Sequence, residues 1–304
     1  MSGLTLVVMA AGVGSRYGGL KQVESIGPNG EWIVDYSVFD AVRSGFERVV
    51  FVVREEIEVG FRQRFERSLG DACQVDYVVQ SLDDLPAGFS TPPGRAKPWG
   101  TGHAVWSCRD VLDGPFGVVN ADDFYGRRAF ESLAGFLARA DRDEADHALV
   151  GYELSKTLTE HGPVTRGICR VDERGFLLGI VERHQVAKRS GAVTSSEDGQ
   201  TWIALPAGTT VSMNMWGFGD GIIAELSRQL PTFLEGQPSE PGSGEFLLPE
   251  VVGGLIAHGM TCVRVLATDE AWFGVTFRED VQRAREEMAG RIESGRYPAH
   301  LWSD

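Results

Sequence analysis

Six residues in an apolar run, Leu4-Thr-Leu-Val-Val-Met9, cut off at once by the turn Ala10-Ala11-Gly12-Val13-Gly14, set the terms for the rest of this chain. A continuous rather than alternating run predicts a parallel strand buried on both faces. The small residues after it let backbone N–H groups come close to a ligand. Arg16 and Lys21 follow, with Gly18 and Gly19 between them. Strand, glycine turn and cations together predict a phosphate cradle, with amides donating and side chains neutralising charge. The competing reading is a strand–turn–helix entry with no ligand, which leaves two cations in the turn without a structural reason.

Three glycine-rich loops can be compared with it. A dinucleotide fingerprint needs a third glycine where Tyr17 stands. A P-loop fits Gly14 and Gly19, but Leu20 follows and Lys21 comes one residue late. The third pattern, Gly-x-Gly-x-Arg with a Lys some residues on, is met by Gly12, Gly14, Arg16 and Lys21. On these residues the chain resembles the sugar-1-phosphate nucleotidyltransferases.

Composition narrows the partners. The chain has 304 residues and a formal net charge of −14, which argues against nucleic acid or an anionic membrane as partner. An anionic substrate then needs a locally positive site, for which Arg16, Lys21, Arg95, Lys97 and Arg183 are the candidates. Cys73, Cys108, Cys169 and Cys262 are scattered, with no Cys-x-x-Cys, and read as reduced thiols of a cytoplasmic protein. No run approaches membrane-spanning length.

Strand and helix patterns alternate along the first half: a helix from Trp32 to Val42, a strand from Arg48 to Val53, a helix from Glu55 to Leu69, a strand from Gln74 to Gln80. This alternation predicts an α/β fold, a doubly wound, mostly parallel central sheet flanked by helices, Rossmann-like in its wiring. Ligands in such sheets sit at the carboxyl ends of the strands. Ser81 to Trp99 carries four prolines and two glycines and reads as a long loop. A helix from His103 to Leu112, the strand Phe116 to Asn120, a helix from Arg127 to Ala140 and the strand Ala148 to Leu154 complete residues 1–155, a nucleotide-binding half. In residues 156–304, a sugar-binding half, Gly167 to Val171 and Gly175 to Glu182 predict a hairpin, and Ser190 to Gly208 a projecting hairpin or mobile flap. A strand Val211 to Phe218, the strand Thr261 to Leu266 and three helices follow, the last at the C-terminus. With no clean boundary between the halves, one domain is expected.

Three further segments carry chemistry. Gly100-Thr-Gly-His-Ala104 puts small residues before a helix, where a base edge can meet backbone groups. It looks like the uracil-reading loop of N-acetylglucosamine-1-phosphate uridylyltransferases, in which a Gln lies shortly before the loop. Gln80 is the Gln here, separated from the loop by nineteen residues. The other reading is an N-cap, with Thr101 starting the helix. Asn120-Ala-Asp-Asp-Phe-Tyr-Gly126 resembles the Gly-Asp-Asn-x-Phe-Tyr-Gly segment of glucose-1-phosphate thymidylyltransferases, which makes Asp122 the Mg²⁺ ligand; capping by Asp123 is the alternative use. Val181-Glu182-Arg183 resembles the Glu-Lys-Pro segment of the same enzymes, with Glu182 toward sugar hydroxyls and Arg183 toward the sugar phosphate. Gly167 and Asn214 match more loosely the glycine and asparagine of their sugar pocket. One departure stands out: Gly274, two residues after Trp272, occupies the position of a second metal-binding Asp. Asp269 and Asn214 are the available replacements.

The resemblance, five loose motifs in the family's order, implies transfer of a nucleotidyl group from a nucleoside triphosphate, UTP or dTTP, to a sugar 1-phosphate. Arg16, Lys21 and Asp122 are the expected catalytic residues, with Mg²⁺ as cofactor on Asp122. Ala11, Gly12, Gly14, Gln80, Gly100, Thr101 and Gly102 are expected at the nucleotide, and Gly167, Glu182, Arg183 and Asn214 at the sugar. An oligomer is compatible with this reading. A cytidylyltransferase for a non-sugar alcohol phosphate and a non-catalytic nucleotide-sugar sensor are the alternatives; retention of Arg16, Lys21 and Asp122 together weighs against the sensor.

Overall fold

A computed structural model of the chain describes residues 3–12, 24–70, 72–139, 146–159, 162–189, 191–206, 208–236, 244–275 and 278–302. The first half contains β1 (Leu4–Met9), α1 (Ile33–Arg43), β2 (Phe46–Val53), α2 (Glu55–Leu69), β3 (Gln74–Val79), α3 (Thr101–Trp106), β4 (Phe116–Asn120), β5 (Asp123–Phe124), α4 (Arg127–Leu137) and β6 (Asp146–Glu153). The second contains β7 (Val164–Val171), β8 (Leu177–Arg189), β9 (Ala192–Ser195), β10 (Ile203–Ala204), β11 (Thr210–Phe218), α5 (Gly221–Glu235), α6 (Leu248–Ala257), β12 (Cys262–Thr268), β13 (Phe273–Gly274) and α7 (Arg278–Glu293).

Among the described residues, eleven of these strands form one sheet, along which β3-β2-β1-β4-β11-β7-β8-β9-β10 are successive neighbours. β1 sits in the parallel centre, paired with β2 on one side and β4 on the other. Leu6, Val7 and Val8 have no exposed surface, and each such side chain contributes about 1.5–3 kcal/mol by leaving water. Alternate residues of β1 feed opposite faces. Leu6 and Val8 pack with Val34 and Val38 of α1, Phe61 and Phe65 of α2 and Phe130 of α4. Val7 and Met9 pack with Val105 of α3, Leu226 of α5 and Val252 of α6. The fold is therefore the doubly wound α/β sheet that the alternation implied.

β11 decides where the sheet opens. β6 lines it from Thr210 to Gly217, so its other edge is shared. There β4 pairs with Trp216 to Phe218, and β7 pairs with Val211 and Ser212. The partner changes between Ser212 and Trp216, where the ladder register shifts and Asn214 adopts φ +61°. A crevice at the carboxyl end of a strand where the neighbour changes is the usual ligand position in such sheets.

Several boundaries differ from expectation for local reasons. α3 ends at Trp106 rather than Leu112, because Cys108, Arg109 and Val111 take i−3 carbonyls and turn the chain. Within residues 191–206 the hairpin alternative holds: β9 and β10 pair antiparallel, and β9 pairs antiparallel with β8. The expected hairpin across residues 172–175 is present with longer arms. The two-residue strands β5 and β13 pair with each other, and no periodicity announces so short a ladder.

Candidate functional site

The carboxyl ends of β1, β3 and β4 meet at one end of the sheet. Ala10 N–H donates to Val52 O at 2.8 Å, Gln80 N–H to Val53 O at 2.9 Å and Ala121 N–H to Met9 O at 3.0 Å. These bonds set Ala11 and Gly12 beside the segment carrying Asp122, with Gln80 two strands away. Ala11 is buried, Gly12 exposed and Asp122 partly buried. Gly14, Arg16 and Lys21 lie outside the described residues.

A polar relay runs under this end. Trp216 Nε1–H donates to Asn214 Oδ1 at 2.8 Å, Asn214 Nδ2 to Asn120 Oδ1 at 2.9 Å, and Asn120 Nδ2 to Asp123 Oδ2 at 2.8 Å. An indole can only donate and a carboxylate only accept, so both amide orientations follow from the ends of the relay. Tyr125 accepts from Asn120 N–H at 3.0 Å, and its hydroxyl lies 3.2 Å from Asp123 Oδ2. Burial, then the Asp123 charge, pushes the Tyr125 phenol well above its ordinary range, so it keeps its proton as a donor. A carboxylate buried like that of Asp123 costs several kcal/mol unless bonded this way. The relay ties β11, where its partner changes, to the end of β4.

The nineteen-residue separation does not keep Gln80 from the glycine loop: its Nε2 donates to Gly100 O at 3.0 Å. The loop itself is packed against the segment before α6. A Cβ at Gly100 would lie 2.7 Å from Phe246 O, and one at Gly102 2.8 Å from Phe246 Cδ1. Gly102 N–H donates to that same carbonyl at 2.8 Å. The Thr101 hydroxyl accepts from Leu248 N–H at 3.0 Å, and so caps α6 rather than its own helix. The glycines are thus needed for protein packing, while the Thr101 hydroxyl, accepting from Leu248, keeps its own proton to donate.

On the other side of the junction, Gly167 pairs with Ser212 of β11 and with Glu182 of β8. A side chain at Gly167 would meet Ile180 Cγ2 at 2.8 Å. Glu182 and Arg183 are exposed, and Arg183 pairs with Glu197 at 3.2 Å. Arg166, directly opposite Arg183, bonds Thr157 and Thr165 and stacks on Trp272. Burial lowers its guanidinium to about 10, still charged near neutrality. Two other cations expected to serve an anion are occupied elsewhere. Arg95 stacks on Trp99 and donates to Gly244 O at 2.8 Å, and Lys97 pairs with Glu245 at 2.7 Å.

The donors suited to a hard cation are Asp122 and its neighbour Asp123. Among the described residues no group of three or more His, Cys, Asp or Glu side chains gathers into a metal cage. Such a set suits Mg²⁺, which keeps waters and phosphate oxygens around one or two carboxylates. Of the replacements for the missing second Asp, Asp269 is taken by Arg128 at 2.6 Å in an exposed pair, and Asn214 by the relay. Asn120, Tyr125, Arg166 and the Asp84–Arg109 pair escaped the sequence reading. Only Tyr125 carried a signal there, within the Phe-Tyr-Gly string.

Sheet order and winding define a Rossmann-like α/β fold, a mostly parallel sheet flanked by helices, with a crevice at the end of β4. No protein-family model matches the chain, and no curated protein sequence matches it. Among solved structures it is similar to the inositol-1-phosphate CTP transferase from T. maritima, with a TM-score of 0.60 and 15% sequence identity over 95% of this chain and 96% of that one. At that identity the likeness is one of fold.

Proposed function

We propose that the protein transfers a nucleotidyl group from a pyrimidine nucleoside triphosphate to a sugar 1-phosphate, releasing pyrophosphate. The observation that carries this reading is the junction on β11: Asn214 sits between the strand end bearing Asp122 and the strand bearing Gly167, with Gly12 one strand beyond. We read the motifs of the family resemblance, dispersed over the sequence, as lining that one crevice. The fold shared with a transferase acting on a polyol 1-phosphate supports it further.

The acceptor phosphate is already an anion, so the reaction needs no general base. Its oxygen attacks the α-phosphorus, and the bond to the bridging oxygen of pyrophosphate breaks. Catalysis then rests on alignment and neutralisation of charge. Arg16 and Lys21 hold the triphosphate, while Gly12 and Gly14 let the backbone reach it. Gln80 and the backbone of Gly100 to Gly102 face the base. Gly167, Glu182, Asn214 and Arg183 line the acceptor side, Arg183 bidentate where relatives use Lys. Asp122 would hold Mg²⁺, which when bound neutralises phosphate oxygens.

A screen of UTP, dTTP, CTP and purine triphosphates against sugar 1-phosphates and inositol 1-phosphate, read by pyrophosphate release, tests this. The reading expects release with UTP or dTTP and a sugar 1-phosphate. Release confined to CTP with a non-sugar polyol phosphate would favour the cytidylyltransferase alternative.

A further inference from the structure

The long loop between Gln80 and Gly100 carries a device that the transfer reaction does not by itself require. Arg109 grips Asp84 through both carboxylate oxygens, Nη1 to Oδ2 at 2.9 Å and Nη2 to Oδ1 at 2.8 Å, and stacks on Trp106 at 3.8 Å. So held, the Asp84 carbonyl lies 2.7 Å from His103 Nε2. A carbonyl can only accept, so the proton between them belongs to Nε2. His103 has no exposed surface. Burial lowers its pKa against the opposing pull of Asp84, and Arg109 and Arg95 lower it further, so the ring stays neutral and Nδ1 is bare.

A bare Nδ1 can only accept. Ser107 spends its hydroxyl proton on His103 O at 3.0 Å, which leaves Gln80 Nε2, 3.1 Å away, as the donor. The same Nε2 donates its other proton to Gly100 O at 3.0 Å. Both amide protons of Gln80 are therefore consumed, and by two groups that cannot donate in return. Among the described residues nothing donates to Gln80 Oε1, and although Gln80 is only 9% exposed this atom is not fully enclosed.

We infer that the loop of residues 81–99 acts, through Asp84 and His103, to fix the Gln80 side chain so that its carbonyl faces the nucleotide base, and that the base selected must present an N–H there. His103 is a positioning residue in this arrangement, and Gln80 the specificity-determining one. The inference rests on the proposed placement of the base beside Gly100. A ring imide N–H, as in uracil or thymine, and an exocyclic amino group, as in cytosine, share this chemistry. A base offering only an acceptor would leave two lone pairs facing each other.

The test has two arms, both on the full chain. In the first, ¹⁵N-labelled histidine is followed by NMR in the wild-type protein: His103 should show a protonated Nε2 and a bare Nδ1. A protonated Nδ1 overturns the inference whatever the nucleotide does. In the second, affinities for UTP, N3-methyl-UTP, CTP and N4,N4-dimethyl-CTP are measured. Methylating the donating nitrogen should weaken binding about 10- to 100-fold relative to its parent. In His103→Leu the freed amide can rotate, and the penalty for methylation should shrink by about tenfold with kcat little changed, because the contact is made equally in ground and transition states. Parents that bind with methylation making no difference in wild type overturn the inference and leave the proposed function standing. Binding of neither UTP nor CTP overturns both.

Discussion

Asp123 and Gly274 face each other across the β5–β13 ladder, and Asp123 Oδ1 lies 2.4 Å from the point a Cβ on residue 274 would occupy. The glycine that departs from the family pattern is thus the residue that makes room for a buried carboxylate. Asp123 cannot swing away cheaply, since Asn120 and Tyr125 hold its other oxygen. Gly274→Ala should cost about 1–3 kcal/mol as overpacking, measured by urea denaturation, and Gly274→Asp more. In an Asp123→Ala background the cost of Gly274→Ala should fall. An unchanged cost would show that the carboxylate is not what the glycine accommodates.

Asp122 and Asp269 should separate in their Mg²⁺ dependence. Asp122→Ala is expected to abolish activity at any practical Mg²⁺ concentration. Asp269 spends its carboxylate on Arg128 in an exposed pair, so Asp269→Ala should leave the Mg²⁺ titration of the rate where it was. A shifted midpoint in that variant would bring Asp269 back as a ligand.

Asn214 is held at φ +61°, a region where side chains with a Cβ are strained, while its amide links Trp216 to Asn120. The two contributions can be told apart. Asn214→Gly removes the hydrogen bonds and relieves the backbone; Asn214→Ala removes the bonds and keeps the strain. The alanine variant should be the less stable by about 1 kcal/mol, seen as a lower Tm. Equal melting would mean that the backbone here carries no strain.

Asp40 of α1 is buried, bonded by the Tyr297 hydroxyl at 2.5 Å through Oδ2, with Oδ1 unpartnered. Burial pushes its carboxyl from 3.8 up to about 8, against the Tyr297 bond. The folded protein therefore keeps this proton after the unfolded chain has lost it. The contribution is fully favourable below about pH 4 and is lost as pH rises toward 8. Asp40→Asn should flatten the stability curve over that window and raise stability at its alkaline end. A variant that tracks wild type from pH 4 to 8 would contradict this.

The order of strands and helices in the first half was open to reading because each buried strand is an unbroken apolar run and each helix an amphipathic one. Leu4 to Met9 and Phe116 to Asn120 carry that pattern almost to the residue. β11 announced itself as a strand, but not that β4 and β7 would share one of its edges, since pairing is a long-range choice. Asn214 came from the family resemblance, whereas its relay to Asp123 through Asn120 depends on side chains 94 residues apart in sequence. The glycines at 100 and 102 suggest close approach of a base, and nothing local announces that Phe246, far down the chain, occupies the space a Cβ at either would need. Short polar residues with distant partners leave no periodic trace, which is why the supporting shell of the crevice emerged only with the fold.

The most direct measurement follows the phosphorus itself. With UTP or dTTP labelled at the α-phosphate, a sugar 1-phosphate and Mg²⁺, the account predicts that label moves onto a nucleotide-sugar as pyrophosphate appears in equal amount. Asp122→Ala and Lys21→Ala are both expected to melt as wild type does; transfer should be lost in the first and should fall by at least about 10²–10³-fold in the second, the range of a lost charge-stabilising contact. Label that stays in the triphosphate with every sugar 1-phosphate tried, or transfer that survives in both variants, would contradict the assignment of this crevice to nucleotidyl transfer.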